Sequence, residues 1–317
     1  MQWRKALVSG GAAIGVAAAL NAIIGKNVDP LGNLVEGDEA WFHWRGHRIA
    51  YTRRGSGPPL LLIHGIHAAA WSYEWRFNVD HLARDHTVYT IDLLGFGRSD
   101  RPALRYTARL YLSLLSDFAA QVIVAPVVLI ANSLSAAYAI VLGARDPGRF
   151  PAMVLVQPTG LVRLHKSSST SGDLARYAVD SPVLGTAMFN ALVSRRSLRS
   201  WLDRTYVDGE ITTDELIDVY YDAAHQPGAR YAPSAFMSGH LNLDVRRALR
   251  RLTQPTLIVW GEQAIETPVE DVRGFRALRP DIEVAILDPA GSLPHDERPD
   301  EFNDIVTGFL ANVRARA

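Results

Sequence analysis

Cysteine is absent from the 317 residues, and the formal charges cancel to a net of zero. The first absence excludes disulfides, thiol nucleophiles and zinc–thiolate sites, without identifying a compartment. The second removes the long-range field that would steer the chain toward nucleic acid or acidic surfaces. No glycine-rich phosphate loop and no metal-ligand pair at recognisable spacing occurs, so no cofactor is expected. Arg246, Arg247, Arg250 and Arg251 cluster, but helical spacing spreads them over a solvated face, and no nucleic-acid motif accompanies them. Internal repeats and long low-complexity tracts are also missing. What remains is an ordinary globular composition, 48% hydrophobic and 21% charged, sized for one large α/β domain or two small ones.

Charge is scarcest at the N-terminus. Ala6 to Gly25 runs for 20 residues without a charged side chain, behind Arg4 and Lys5. That length spans a bilayer, and the two cations favour a cytoplasmic start. Gly11 and Gly15 give the small-xxx-small spacing that suits close helix contact in lipid. Alanine and glycine dominate, however, so the segment is weakly hydrophobic. Three readings stand: an uncleaved anchor holding the protein at a membrane through residues 6–25, a signal peptide cut near Ala17–Ala19, or a helix packed on the body. Pro30 and two glycines mark Asn27–Gly37 as a linker, so residues 1–36 stand apart from the rest.

Downstream, strand and helix signals alternate. Trp41–Trp44 and His47–Arg53 read as a hairpin turned at Arg45-Gly46, and Leu60–Ile63 as a buried strand. Trp71–Ala83 reads as helix, Thr87–Ile91 as the next strand and Ala152–Val156 as a later one. From residue 158 to 253 the strands give way to helical segments, among them Val183–Val193, Thr213–Ala224 with Thr212 as N-cap, and Asp244–Leu252. The sheet then resumes with Thr256–Val259, a helix near Val269–Leu278, Glu283–Leu287 and a last helix from Asp300 to Asn312. Such alternation predicts an α/β fold with a mostly parallel central sheet flanked by helices. Its core is expected at 37–157 and 254–317, with 158–253 as an inserted helical cap over the strand ends, where open sheets place ligands.

Val127–Arg145 organises the whole. A buried apolar run leads into Ala131-Asn132-Ser133-Leu134-Ser135 and then an alanine-rich helix. A serine between a buried strand and a helix has the setting of a nucleophile elbow, whose tightness demands small residues two before and two after it. Ala131 and Ser135 meet that rule while departing from G-x-S-x-G. An ordinary turn with a serine N-cap is the bland alternative.

With His64-Gly65, the Asp92–Asp100 run, Ser133, Trp260-Gly261-Glu262 and the tail Pro294-His295-Asp296-Glu297-Arg298-Pro299, the chain resembles the α/β-hydrolase superfamily from about Gly37 onward. Ser72-Tyr73-Glu74-Trp75-Arg76 looks most like the capped branch of epoxide hydrolases, haloalkane dehalogenases and related esterases. Serine rather than aspartate at the elbow implies ester or acyl chemistry. The resemblance also marks two departures. Trp260, Gly261 and Pro268 fix the register of the usual acid, and Ala264 fills its slot. Gly291, Pro294, His295, Glu297 and Pro299 fix that of the usual histidine, and Ser292 fills it. Alanine has no acceptor, and a serine hydroxyl takes no proton near pH 7.

A base must therefore come from elsewhere if Ser133 is a nucleophile. His67 is the first candidate, on the loop whose Ile66 amide pairs with that of Leu134 as an oxyanion hole; its alternative role is to line the pocket or touch the cap. His295 is the second, although the family usually keeps this histidine for structure. Glu266, two residues past the empty acid slot, is placed to orient an imidazole. His64, Asp92 and Arg98 read as structural braces, and His225 and His240 as cap residues.

The leading expectation is a serine hydrolase or acyl-transfer enzyme for a small or medium apolar ester, with a non-standard catalytic set around Ser133. Its rival is a non-catalytic protein of the same fold that holds an apolar ligand or partner in the capped pocket. A lyase or isomerase independent of Ser133 is the third.

Overall fold

Hydrophobic alternation and turn chemistry explain how the sheet starts. In the computed structural model, which describes residues 15–19, 21–26, 28–166, 168, 179 and 181–316, β1 (Asp38–Trp44) and β2 (His47–Arg54) pair antiparallel. Arg45 and Gly46 both take positive φ, 50° and 82°, which gives the two-residue turn whose twist matches paired strands. The parallel strands follow: β3 (Pro59–Ile63), β4 (Thr87–Ile91), β5 (Val128–Asn132), β6 (Met153–Val156), β7 (Thr256–Gly261) and β8 (Glu283–Leu287). They join one eight-stranded sheet in the order β1-β2-β4-β3-β5-β6-β7-β8. Covered on both faces, the central strands are buried nearly end to end rather than alternating, and Leu60 to Ile63 are fully buried. Each such side chain contributes about 1.5–3 kcal/mol of burial. This is the α/β-hydrolase fold that the sequence predicts.

The helices that matter for the site are α1 (Ala108–Phe118), α2 (Ser133–Arg145), α3 (Leu184–Leu192), α4 (Arg195–Thr205), α5 (Asp214–His225), α6 (Tyr231–Met237), α7 (Val272–Leu278) and α8 (Pro299–Arg316). Four of them, α3 to α6, lie between β6 and β7, and no strand interrupts them among the described residues. Several local expectations shift. Trp71–Ala83 is not one helix but a 3-10 turn at Ser72–Trp75 and a helical turn at Val79–Leu82: the amides of Glu74, Arg76 and Asn78 bond three residues back rather than four, and the Ser72 amide is taken by Asp92. The N-cap of α5 is Thr213, whose hydroxyl accepts from Leu216 N, not Thr212. Asp244–Leu252 shortens to one helical turn at Arg246–Leu249.

Asp92, at the end of β4, accepts from the Ser72 and Arg98 amides and from Arg98 Nε at 2.7 Å. The Arg98 guanidinium fans out to Asn33, Glu39, Thr52 and Ser72, a brace joining the linker, the hairpin and the central sheet. Burial pushes the Asp92 carboxyl up, but Arg98 and His64 outweigh it and hold the group below the usual carboxylate range.

Much of the apolar segment 6–25 lies outside the described residues. Within them, 15–19 and 21–26 are helical, and Asn21 bonds Val183 O and Asn190 beside α3. Among the described residues no helix is long and apolar enough to cross a membrane.

Candidate functional site

The site forms where β3, β5, β6 and β7 end together. Ser133 opens α2 directly after β5 with φ +53°, while Asn132 before it stays extended at φ −100°, ψ 142°. A serine held in the left-handed region at a strand-to-helix corner is the elbow anticipated above, and it is not an extended N-cap. Neighbouring residues must be small for the corner to close. Ala131 is fully buried, and a Cβ on Gly65 would lie 2.9 Å from Asn132 Nδ2. Ser135 replaces the family's glycine usefully: its hydroxyl donates to His64 O at 2.6 Å, tying the elbow helix to the loop after β3.

That loop carries the predicted oxyanion donors. Among the described residues no backbone acceptor takes the Ile66 N–H. The Leu134 N–H lies in the first turn of α2, where no helical carbonyl precedes it. Both residues are buried. Behind them sits Glu74, which composition alone did not single out. Its two oxygens accept from Gly65 N at 3.1 Å each, and Oε1 also accepts from Asn132 Nδ2 at 3.2 Å. Burial pushes the Glu74 carboxyl up, but its bond with His295 and the imidazoles of His295, His64 and His67 bring it below its ordinary value. His64 is a brace, with Nδ1 on Gly65 O and Nε2 accepting from Leu93 N.

Ser133 faces a chamber of about 60 Å³ that it shares with Ile66, His67, Gln157, Trp201, Glu266 and Ser292. Three of the four predicted catalytic residues, Ser133, His67 and Glu266, thus meet, with the predicted oxyanion residue Ile66 beside them. His295 does not join them. It is fully buried against Trp75, ring centroids 4.2 Å apart, with Nε2 3.6 Å from Glu74 Oε1. Glu266 stands exposed at the chamber's edge and bonds no imidazole among the described residues.

The polar inventory of the chamber decides its chemistry. All ten histidines are described, and none hydrogen-bonds Ser133. His67 accepts the Ala69 N–H at Nδ1, 3.3 Å away, so its neutral ring carries the proton on Nε2, which is buried without a partner. Burial lowers its pKa to about 4, Glu74 opposing and His64 adding. His67 therefore offers an N–H rather than a lone pair, and its ring stacks 4.6 Å from Trp201 and 5.9 Å from Tyr220 of the helical insert. The Ser292 hydroxyl is likewise buried and unpartnered among the described residues. Ala264, at the expected acid register, is buried and outside the chamber.

Gln157, which the sequence reading passed over, holds the opposite wall. It follows β6 with φ +44°, donates to Gly291 O at 2.7 Å and accepts from the Thr267 hydroxyl, joining the loops after β7 and β8. A polar residue directly after a buried strand, at the carboxyl edge of a parallel sheet, was the available signal.

Comparison with known proteins agrees with this geometry. A family model described as "Alpha/beta hydrolase family" matches residues 60–305. The 2-hydroxy-6-oxo-6-(2'-aminophenyl)hexa-2,4-dienoic acid hydrolase of Metapseudomonas resinovorans is 28% identical over 274 residues, 84% of this chain and 88% of its own. A serine hydrolase involved in carbazole degradation superposes with a TM-score of 0.73 at 25% identity, over 87% of this chain and 99% of that one. A meta-cleavage product hydrolase from Pseudomonas fluorescens IP01 gives 0.72 at 21% identity, over 89% and 99%. These similar proteins are hydrolases of that kind rather than the epoxide hydrolases or haloalkane dehalogenases that the Ser72–Arg76 stretch suggested.

Proposed function

This chain belongs to the alpha/beta hydrolase family, and from that premise we propose that it keeps the family's carbonyl-binding apparatus without its proton acceptor. On this reading it holds the uncharged carbonyl group of a compound with an apolar body beneath the helical insert, and does not turn it over. The oxygen is received by the Ile66 and Leu134 amides, with the His67 N–H and the Ser292 hydroxyl as further donors. One observation carries the reading: Ser133 Oγ has no hydrogen-bond partner among the described residues, and the imidazole sharing its chamber carries a proton on the free nitrogen. A serine hydroxyl with no acceptor is a poor nucleophile, and an enzyme stripped of triad members retains only about 10³ to 10⁴ over water.

Serine hydrolysis of a small or medium apolar ester is the second reading, with His67 as base. The strained φ of Ser133 and the hydrolase relatives favour it.

A fluorophosphonate probe separates the two, because it marks only serines that a neighbour activates. The expected result is no labelling of the wild type above Ser133→Ala. The double variant Ala264→Asp/Ser292→His, which refills both registers, should be labelled at Ser133. Wild-type labelling that disappears in Ser133→Ala, together with ester turnover, would establish the enzyme instead.

A further inference from the structure

A second, larger cavity of about 610 Å³ lies against the chamber, floored by His67, Ala68 and Ala69 and walled by α4 and α6. His67 and Trp201 line both spaces, so their stacked rings form the partition between them. The groove is mostly apolar, with Leu198, Phe236 and Met237 among its walls, and Met237 is 56% exposed at its edge. Two arginines of α4, Arg196 and Arg204, stand on the same rim. Their neighbours Arg195 and Arg199 are paired with Asp218 and Asp214. Arg196 and Arg204 have no carboxylate partner among the described residues, and Arg204 donates only to the Ser200 hydroxyl. The charge at the other end has the opposite sign. Glu74 lies directly behind the chamber and Glu266 at its edge, and among the described residues no Lys or Arg lines it, so an anion at Ser133 would meet two carboxylates.

Resting on the reading above, we propose that chamber and groove are the two ends of one site for a ligand of defined polarity. Its uncharged carbonyl enters the chamber past Trp201 and His67, its apolar chain fills the groove, and an anionic far end sits on Arg196 and Arg204. The chamber accepts only the carbonyl head, since 60 Å³ leaves room for a few waters. The remaining length of the ligand has to lie on the groove side of the partition.

Half-esters of linear dicarboxylic acids test this directly. Isothermal titration of the full chain compares a monomethyl half-ester with the dimethyl diester of equal chain length. The half-ester is expected to bind about 5- to 10-fold more tightly, the modest gain of rim-exposed ion pairs. In Arg196→Gln/Arg204→Gln that preference should vanish while the diester's Kd stays unchanged, and in Trp201→Ala both esters should associate faster. Equal binding of the two esters, or a preference that survives the double replacement, overturns the assignment of polarity and leaves the carbonyl-binding reading standing. If neither ester binds wild type, both readings are overturned.

Discussion

At the scale of single residues, His67 carries the most consequence, because its tautomer decides whether Ser133 has a base. The Ala69 N–H engages Nδ1, and burial lowers the ring's pKa to about 4 from an ordinary value of 6.5. The sign of the linkage follows. Between those two values the unfolded chain binds a proton that the folded one does not, so stability falls as pH drops from 6.5 toward 4. The contribution of this one ring reaches at most about 3 kcal/mol. His67→Asn retains an acceptor for Ala69 and cannot titrate. Urea unfolding of both proteins at several pH values should show the wild type losing stability relative to the variant across that window and nowhere above it. A constant difference between the two curves would mean that the ring is hydrated and free to protonate. Ligand affinity above pH 6 should be insensitive to pH, since the neutral donor is already fully populated.

Between elements, the tie that positions the site is Glu74, which joins the end of β3 to the end of β5 through Gly65 and Asn132. Removing its carboxylate leaves two buried donors, Gly65 N and Asn132 Nδ2, unsatisfied. Glu74→Ala should therefore cost about 3–5 kcal/mol in chemical unfolding, with Glu74→Gln recovering part of it by accepting one of the two bonds. A loss under 1 kcal/mol in Glu74→Ala would show that water replaces the carboxylate and that the loop does not depend on it. This tie also marks where a linear reading stops. The elbow was legible because strand, turn and helix are local, and small residues at 131 and 135 announce a tight corner. The loop after β3 was expected to carry oxyanion donors only because His64-Gly65 resembles the family's pattern. Glu74 was not legible, since its partners sit 9 and 58 positions away and no periodicity records them. Trp71–Ala83 misled for the same reason: the local signal suggested one helix, while an acceptor 20 positions away, Asp92, claimed the Ser72 amide.

Across the whole molecule, a mostly parallel sheet flanked by helices could be read from the alternation of strand and helix signals, but neither the strand order nor the fit of the helical insert against the chamber could. That fit rests on contacts about ninety positions apart. Tyr206, just past α4, donates to Asp296 Oδ2, whose other oxygen pairs with Arg76 at 2.9 Å. Glu297 accepts the Val207 and Asp208 amides and also Gly291 N, so the loop bearing Ser292 and the end of α4 bearing Trp201 share one anchor. Burial raises the Asp296 carboxyl above its usual value, with Arg76, Tyr206 and His295 opposing. Asp296→Asn leaves the Arg76 guanidinium, only 12% exposed, without its counter-ion. Breaking a buried pair in this way costs about 3–5 kcal/mol. Because the seam couples insert and core, the loss should appear as one cooperative unfolding transition at lower denaturant, and hydrogen exchange should quicken in α4 and α5 together with the strands beneath them. Were the insert an independent unit, exchange would rise within it alone and the midpoint for the sheet would not move. Helices hinged so loosely could not hold Trp201 against His67, and the partition between chamber and groove would then be a fluctuation rather than a wall.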